Sequence, residues 1–303
     1  MRALAHSVLV LALAVVGCST ARPAGPAMPD LSAAPAGTLT VGLASGADDA
    51  AGQAAALAAW VKSATGHATR TAVFPDYDSL ATAVAKGQVD VAVMSPLAYV
   101  RAEDQGHPHA LGRMVRSGAA TYRAVLFAKA GSKLGSLDDL KKADELRVAW
   151  VDSSSATGYI FPKALLLQHK IDPAGLFKSQ DFLGSHGAVC QAVLAGKYDL
   201  GATFSDDPSP SPVVHLNGCD DSAAASLHVV AVSASIPTDL LATRDGLDAN
   251  LTTQLSEGAN ALSSSPAGKS TLQSAFHAEG IAPIAESDLD VVRQAIDSFH
   301  EHL

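Results

Sequence analysis

The stretch DSSSATGY, residues 152–159, sets Ser153, Ser154, Ser155 and Thr157 between an apolar run, ELRVAWV, and a helix-like run, YIFPKALLLQHK. A strand-to-helix turn of this kind brings short hydroxyl donors beside the unpaired N–H groups and the positive dipole end of a helix. That combination cradles a tetrahedral oxyanion without a lysine. The same run serves equally as a Ser-rich helix cap with no ligand, and both readings stand at this point. His186, in LGSHGAV, opens a second helix-like run behind an apolar segment. Charged or neutral, its ring has an N–H to donate to an anion, and without a ligand it is a capping residue. Ser95 and Tyr99, in MSPLAYV, stand where a strand ends and a helix begins and form a further donor pair.

Catalysis is a different use of the same residue types, since Ser154, His186 and Asp206 would supply a hydrolytic triad. The chain has no G-x-S-x-G nucleophile elbow, and its serines come as a run rather than as one exposed nucleophile. Binding, not turnover, is therefore expected. The close His pairs, His107 with His109 and His300 with His302, lack the i, i+4 spacing of a zincin-type site. Neither a metal nor a cofactor is expected.

Such donors must be positioned by strands and helices, and strand-like runs alternate with helix-like ones through most of the chain. TLTVGLA precedes AAGQAAALAAWVKSAT, RTAVF precedes YDSLATAVAKG, and VDVAVMS precedes PLAYVRAED. A longer extended run, YRAVLFAKA, opens a second series: LRVAWV, KSQDFLG, HGAVCQAVLAG and YDLGATF. The C-terminal stretches show apolar residues three and four apart, the helical period. This order predicts an α/β fold with largely parallel sheets. It divides into a first lobe of residues 38–127 plus 232–303 and a second of 128–231, with crossings near Phe127 and Val230. Ligands of open α/β sheets sit beyond the carboxyl ends of the strands, so two lobes place a cleft between them that a hinge can close.

The 303 residues, 48% hydrophobic and 17% charged, are those of an ordinary globular chain. Its first 18 residues, MRALAHSVLVLALAVVGC, have one Arg, an apolar run too short to remain as a spanning helix, and a small residue before Cys18. The closing VVGC resembles a bacterial lipobox. Residues 1–17 are thus expected to be a removed leader and Cys18 a lipidated first residue, a plain secretory leader being the alternative. Residues 18–37, rich in Ala and Pro, read as a tether. Export leaves two cysteines, Cys190 and Cys219, which either pair or stand as one buried and one loop thiol. Without residues 1–17 the balance is 20 basic against 30 acidic side chains, since only Arg2 is lost. No basic cluster suits nucleic acid.

The ordered blocks DYDSLATAVAKGQVDVAVMSPLAYVRA, YRAVLFAKAGSKLGSLDDLK, LRVAWVDSSSATGYIFPKALL and DFLGSHGAVCQAVLAGKYDLGATF, followed by IPTDLLATRDGL, carry a family resemblance. The chain resembles the phosphate, phosphite and phosphonate solute-binding proteins of ABC transporters, a branch of the type II periplasmic binding fold. The resemblance implies an extracytoplasmic, lipid-anchored, monomeric receptor that closes on a small phosphorus oxyanion and delivers it to an ABC permease. A ligand-sensing lobe working with a signalling partner is the alternative. It makes Ser154, Ser155 and Thr157 oxyanion donors, with Ala156 in place of a usual Thr and Ser153 in place of a usual Pro. It adds Tyr77 and Tyr122 as phenolic donors and His186 as a ligand to the phosphonate group. Asp206 and Asp239 would meet a ligand amine or a protonated oxyanion, with Asp207 a substitute for Asp206.

Overall fold

The computed structural model describes residues 27–32, 34–44, 49–206 and 215–300. In chain order the first elements are β1 (Thr38–Ala44), α1 (Ala50–Thr65), β2 (Ala68–Phe74), α2 (Tyr77–Ala85), β3 (Val91–Met94), α3 (Pro96–Glu103) and β4 (His109–Val115). Next come β5 (Thr121–Lys129), α4 (Leu137–Leu140), β6 (Leu146–Trp150), a π-turn (Ala156–Ile160), α5 (Phe161–Gln168), α6 (Pro173–Leu176), β7 (Phe177–Phe182), α7 (His186–Leu194) and β8 (Leu200–Ser205). The chain ends in α8 (Asp221–Ala224), β9 (Leu227–Val232), β10 (Ile236–Pro237), β11 (Leu240–Thr243), α9 (Ala249–Ser264), α10 (Pro266–Phe276), β12 (Gly280–Ala282), a 3-10 turn (Glu286–Leu289) and α11 (Asp290–His300).

The strands form two mixed sheets. In the first, ordered β12-β4-β11-β3-β1-β2, the pairs β1–β2 and β1–β3 are parallel while β11, β4 and β12 join antiparallel. In the second, β7-β6-β8 are parallel and β5 pairs antiparallel with β8, β9 and β10. The inner strands β1, β3 and β8 are buried along nearly their whole length and read as small or apolar runs, whereas the edge strands β2 and β7 are partly exposed and carry polar residues. All four residues of β3 are buried. One core lies between the first sheet and α1, α9 and α10, with Leu57, Val61, Leu255 and Leu272 fully packed. Another joins α2 and α3 to α11 and takes in Ile160, Phe161 and Ala164 from the second sheet's side, so α11 closes the back of both lobes.

The chain leaves the first sheet after Val115 and returns between Pro237 and Leu240. Sequence reading placed these crossings near Phe127 and Val230, which fall inside β5 and β9. YRAVLFAKA forms β5, whose partners β8, β9 and β10 all belong to the second sheet. The turn that makes the crossing is Arg116–Ala119, with Ser117 and Gly118 both at positive φ. The two crossings are stitched together. Met114 N–H donates to the Asp239 carbonyl at 2.8 Å, Thr238 N–H donates to the Ala120 carbonyl at 3.1 Å, and the Thr238 hydroxyl donates to the Met114 carbonyl.

Candidate functional site

Beyond the carboxyl ends of β2, β3, β6 and β7 the chain turns into α2, α3, the π-turn and α7, and all four beginnings border one cleft of about 580 Å³. Each is capped by a short polar side chain. Asp76 accepts from Ser79 N–H at 2.7 Å, Ser95 from Ala98 N–H at 3.2 Å, Ser155 from Gly158 N–H at 3.0 Å and Ser185 from Ala188 N–H at 3.2 Å. The caps use side-chain oxygens as acceptors and leave each serine proton for another partner. Four positive dipole ends and a ring of hydroxyls therefore face a common space.

The second-sheet wall is the DSSSATGY turn. Asp152 Oδ1 accepts from the N–H and the hydroxyl of Ser154 at 2.9 and 2.8 Å, an Asx-turn that fixes the residue after the strand. Ser155 follows in extended geometry, and its carbonyl receives the N–H groups of Tyr159 and Ile160, the wide hydrogen-bonding of a π-turn. Gly158 is required here, because a Cβ would lie 2.4 Å from Val151 Cβ. Ser154, Ser155 and Ala156 border the cleft. Thr157 does not. It is only 6% exposed, since the π winding directs it into the protein rather than toward solvent.

The first-sheet wall supplies Tyr77, Ser95, Leu97, Ala98 and the Arg101–Asp78 ion pair, while Tyr122 enters from β5. Burial, with the Asp239 charge second, holds both phenols above their ordinary pKa, so Tyr77 and Tyr122 remain protonated donors. Tyr99 corrects the sequence expectation. It is 1% exposed and donates its hydroxyl to the Pro108 carbonyl at 2.8 Å, facing the core instead of pairing with Ser95. Burial raises its pKa to about 12.

His186 borders the cleft at the start of α7, and burial lowers its pKa, partly offset by the Ala202 carbonyl. Asp239 also borders the cleft, but its carboxylate is bound by Arg116 Nη2 at 2.9 Å across the two crossings. Asp206 is not among the cleft residues. It follows β8 directly, and its N–H lies 3.4 Å from Asn217 Oδ1. Asp207 and Cys18 lie outside the described residues. Cys190 and Cys219 are joined by a disulfide, with Cα atoms 5.6 Å apart. Sequence reading missed Asp76, Asp78, Arg101 and Arg116. The first was legible as an N-cap, whereas the two ion pairs join residues far apart in sequence. Among the described residues no group of His, Cys, Asp and Glu is arranged to hold a metal.

Residues 43–289 match the family of periplasmic substrate-binding proteins of phosphonate ABC transporters. The chain belongs to that family. A curated relative, the phosphate-import protein PhnD of Mycolicibacterium smegmatis, is 26% identical over 242 residues, 73% of each chain. PhnD1 of Prochlorococcus marinus, solved in complex with methylphosphonate, superposes with a TM-score of 0.64 at 16% identity, covering 88% of this chain and 99% of that one. A binding protein component of an ABC phosphonate transporter from Pseudomonas aeruginosa gives 0.62 at 22% identity, over 86% and 85%. The mixed α/β architecture with two sheets is that of the type II periplasmic binding proteins. Members of the family are solute-binding components of ABC importers that work outside the cytoplasm. No helix among the described residues is long and apolar enough to cross a membrane.

Proposed function

We propose that this family member captures a small tetrahedral phosphorus oxyanion, phosphate, phosphite or a simple alkylphosphonate, in the cleft between its sheets and passes it to an ABC permease. The observation that carries the reading is the convergence of four capped helix beginnings, with Ser95, Ser154, Ser155, Tyr77, Tyr122 and His186, on one space. Such a site stabilises an anion through dipoles and hydroxyls. The relatives, named for phosphate import and solved with methylphosphonate, support the same class.

The two carboxylates that sequence reading assigned to a ligand amine are not available to one. Asp239 is already paired with Arg116, and Asp206 stands away from the cleft, so neither carboxylate awaits an ammonium group. The two lobes work as residues 38–115 with 240–303 and 121–237, hinged at the stitched crossings. Residues 1–17 are the proposed leader, Cys18 the lipid attachment point and 18–37 the tether of a monomeric receptor. Calorimetric titration of residues 38–303 with phosphate, phosphite, methylphosphonate, 2-aminoethylphosphonate and sulfate tests the reading. Tight binding of one of the first three is expected; binding confined to 2-aminoethylphosphonate or to sulfate would overturn it.

A further inference from the structure

His186 is held by more than its helix. Thr203 Oγ1 lies 3.1 Å from His186 Nδ1, and the same hydroxyl donates its proton to the Asn217 carbonyl. A hydroxyl has one proton. Toward the imidazole Thr203 is therefore an acceptor, and Nδ1 must carry the hydrogen. The Ala202 carbonyl, the other group hydrogen-bonded to the ring, can likewise only accept, and in a neutral ring with its hydrogen on Nδ1 the lone pair is on Nε2.

The segment that enforces this polarity is itself fixed. Asn217 N–H donates to the Phe204 carbonyl at 2.9 Å, and Cys219, two residues on, is bonded to Cys190 of α7, the helix that His186 begins. Between them Gly218, at φ 81°, lies against the imidazole: a Cβ there would sit 2.5 Å from His186 Cβ. Phe204 covers the ring edge-on at 5.1 Å.

The charges of the cleft point the same way. Asp76, Asp78, Asp152 and Asp239 border it against Arg101, and Arg101 is spent on Asp78 as Arg116 is on Asp239. Tyr77 and Tyr122 are neutral donors. A cleft so rich in carboxylates repels a dianion more than a monoanion. No charged group from the neighbouring elements moves the titration of His186, which burial keeps neutral.

We propose that Thr203, locked as a donor to Asn217, sets the His186 tautomer so that Nε2 accepts a proton from the ligand, making His186 the residue that selects oxyanions carrying a P–OH group. This rests on the reading of the cleft given above and narrows its ligand class to protonated phosphorus oxyanions. Methanesulfonate is the diagnostic competitor. It matches singly charged methylphosphonate in shape and charge and lacks only the proton. A buried acceptor with nothing to accept is left unpaired, which makes sites of this kind strongly discriminating.

The test is calorimetric titration of residues 38–303, wild type, Thr203→Val and Thr203→Ser, with methylphosphonate, methanesulfonate and inorganic phosphate at about pH 6.5 and about pH 9. Wild type should prefer methylphosphonate to methanesulfonate by roughly 100-fold or more at the lower pH. Its affinity for methylphosphonate should fall by about tenfold or more at the higher pH, where that ligand has lost its proton. Inorganic phosphate, which becomes a dianion over this range but keeps a P–OH, should lose less affinity than methylphosphonate. Thr203→Val frees the ring to donate from Nε2, so it should narrow the methylphosphonate-to-methanesulfonate ratio by about tenfold, and Thr203→Ser should restore it. Nitrogen chemical shifts of the His186 ring in the ligand-free protein should report a hydrogen on Nδ1. A hydrogen on Nε2, equal binding of the two methyl ligands, or a ratio unmoved by Thr203→Val would overturn the inference and leave the reading of the cleft intact. Failure of every anion to bind would instead sink that reading.

Discussion

Ser155 performs two tasks that one substitution can separate. Its hydroxyl oxygen accepts the Gly158 N–H at 3.0 Å and so holds the π-turn, while its proton has no acceptor among the described residues and borders the cleft. Ser155→Ala removes both functions. Losing a cap of this type costs about 1 kcal/mol of stability, which lowers the melting midpoint by roughly 2 °C in a chain of this size. Losing a buried donor to an oxyanion costs on the order of 1–3 kcal/mol of binding, or about 5- to 150-fold in Kd. Ser155→Asp is the separating variant. It keeps an acceptor for Gly158 N–H but places a carboxylate where the oxyanion should rest, so stability should hold while binding is lost. Scanning calorimetry and titration with inorganic phosphate read the two quantities independently. If Ser155→Ala loses stability with no change in affinity, or Ser155→Asp binds like wild type, Ser155 is a cap alone and the placement of the oxyanion is wrong.

Four further outcomes are expected. Tyr77→Phe and Tyr122→Phe should each weaken binding several-fold, at about 1 kcal/mol per donor; because both phenols are held above their ordinary pKa, the loss should persist to about pH 9, and a loss that vanishes on raising pH would contradict their role as donors. His186 has a folded pKa below its unfolded value near 6.5, so the unfolded chain binds more protons and stability should fall as pH drops through that region; denaturant titrations should show the slope reduced in His186→Gln. Gly158→Ala should destabilise the protein by roughly 1–3 kcal/mol through the clash with Val151, visible as a lower denaturant midpoint. Tyr99→Phe and Asp206→Asn should leave affinity within about twofold, as neither borders the cleft.

Much of this architecture is written locally. Val91–Met94 reads as a buried strand because it is one, and Ser95, Ser155 and Ser185 announce helix beginnings through the same oxygens that cap them. What escaped the sequence depended on distant partners or unusual winding. Arg116 and Asp239 lie 123 residues apart and meet only because the two crossings between the sheets run side by side. Nothing local distinguishes Asp239 awaiting an amine from Asp239 already paired. Thr157 is the second residue of a π-turn, and five residues carry no periodicity that separates π from α winding. Tyr99 follows the strand-to-helix corner closely enough to suggest the cleft, yet α3 turns it inward to the Pro108 carbonyl. The lobe boundary moved for a simpler reason: the Ser117–Gly118 turn was a weaker mark than the long apolar run after it.

The most direct test of the account is a crystal structure of residues 38–303 grown with methylphosphonate. The account predicts phosphonate oxygens within hydrogen-bonding distance of the Ser154 and Ser155 hydroxyls, the first N–H groups of the π-turn and Ser95 or Tyr122, with His186 Nε2 facing the remaining oxygen. A phosphonate held elsewhere, or one anchored by Arg101 or Arg116 released from Asp78 or Asp239, would contradict it.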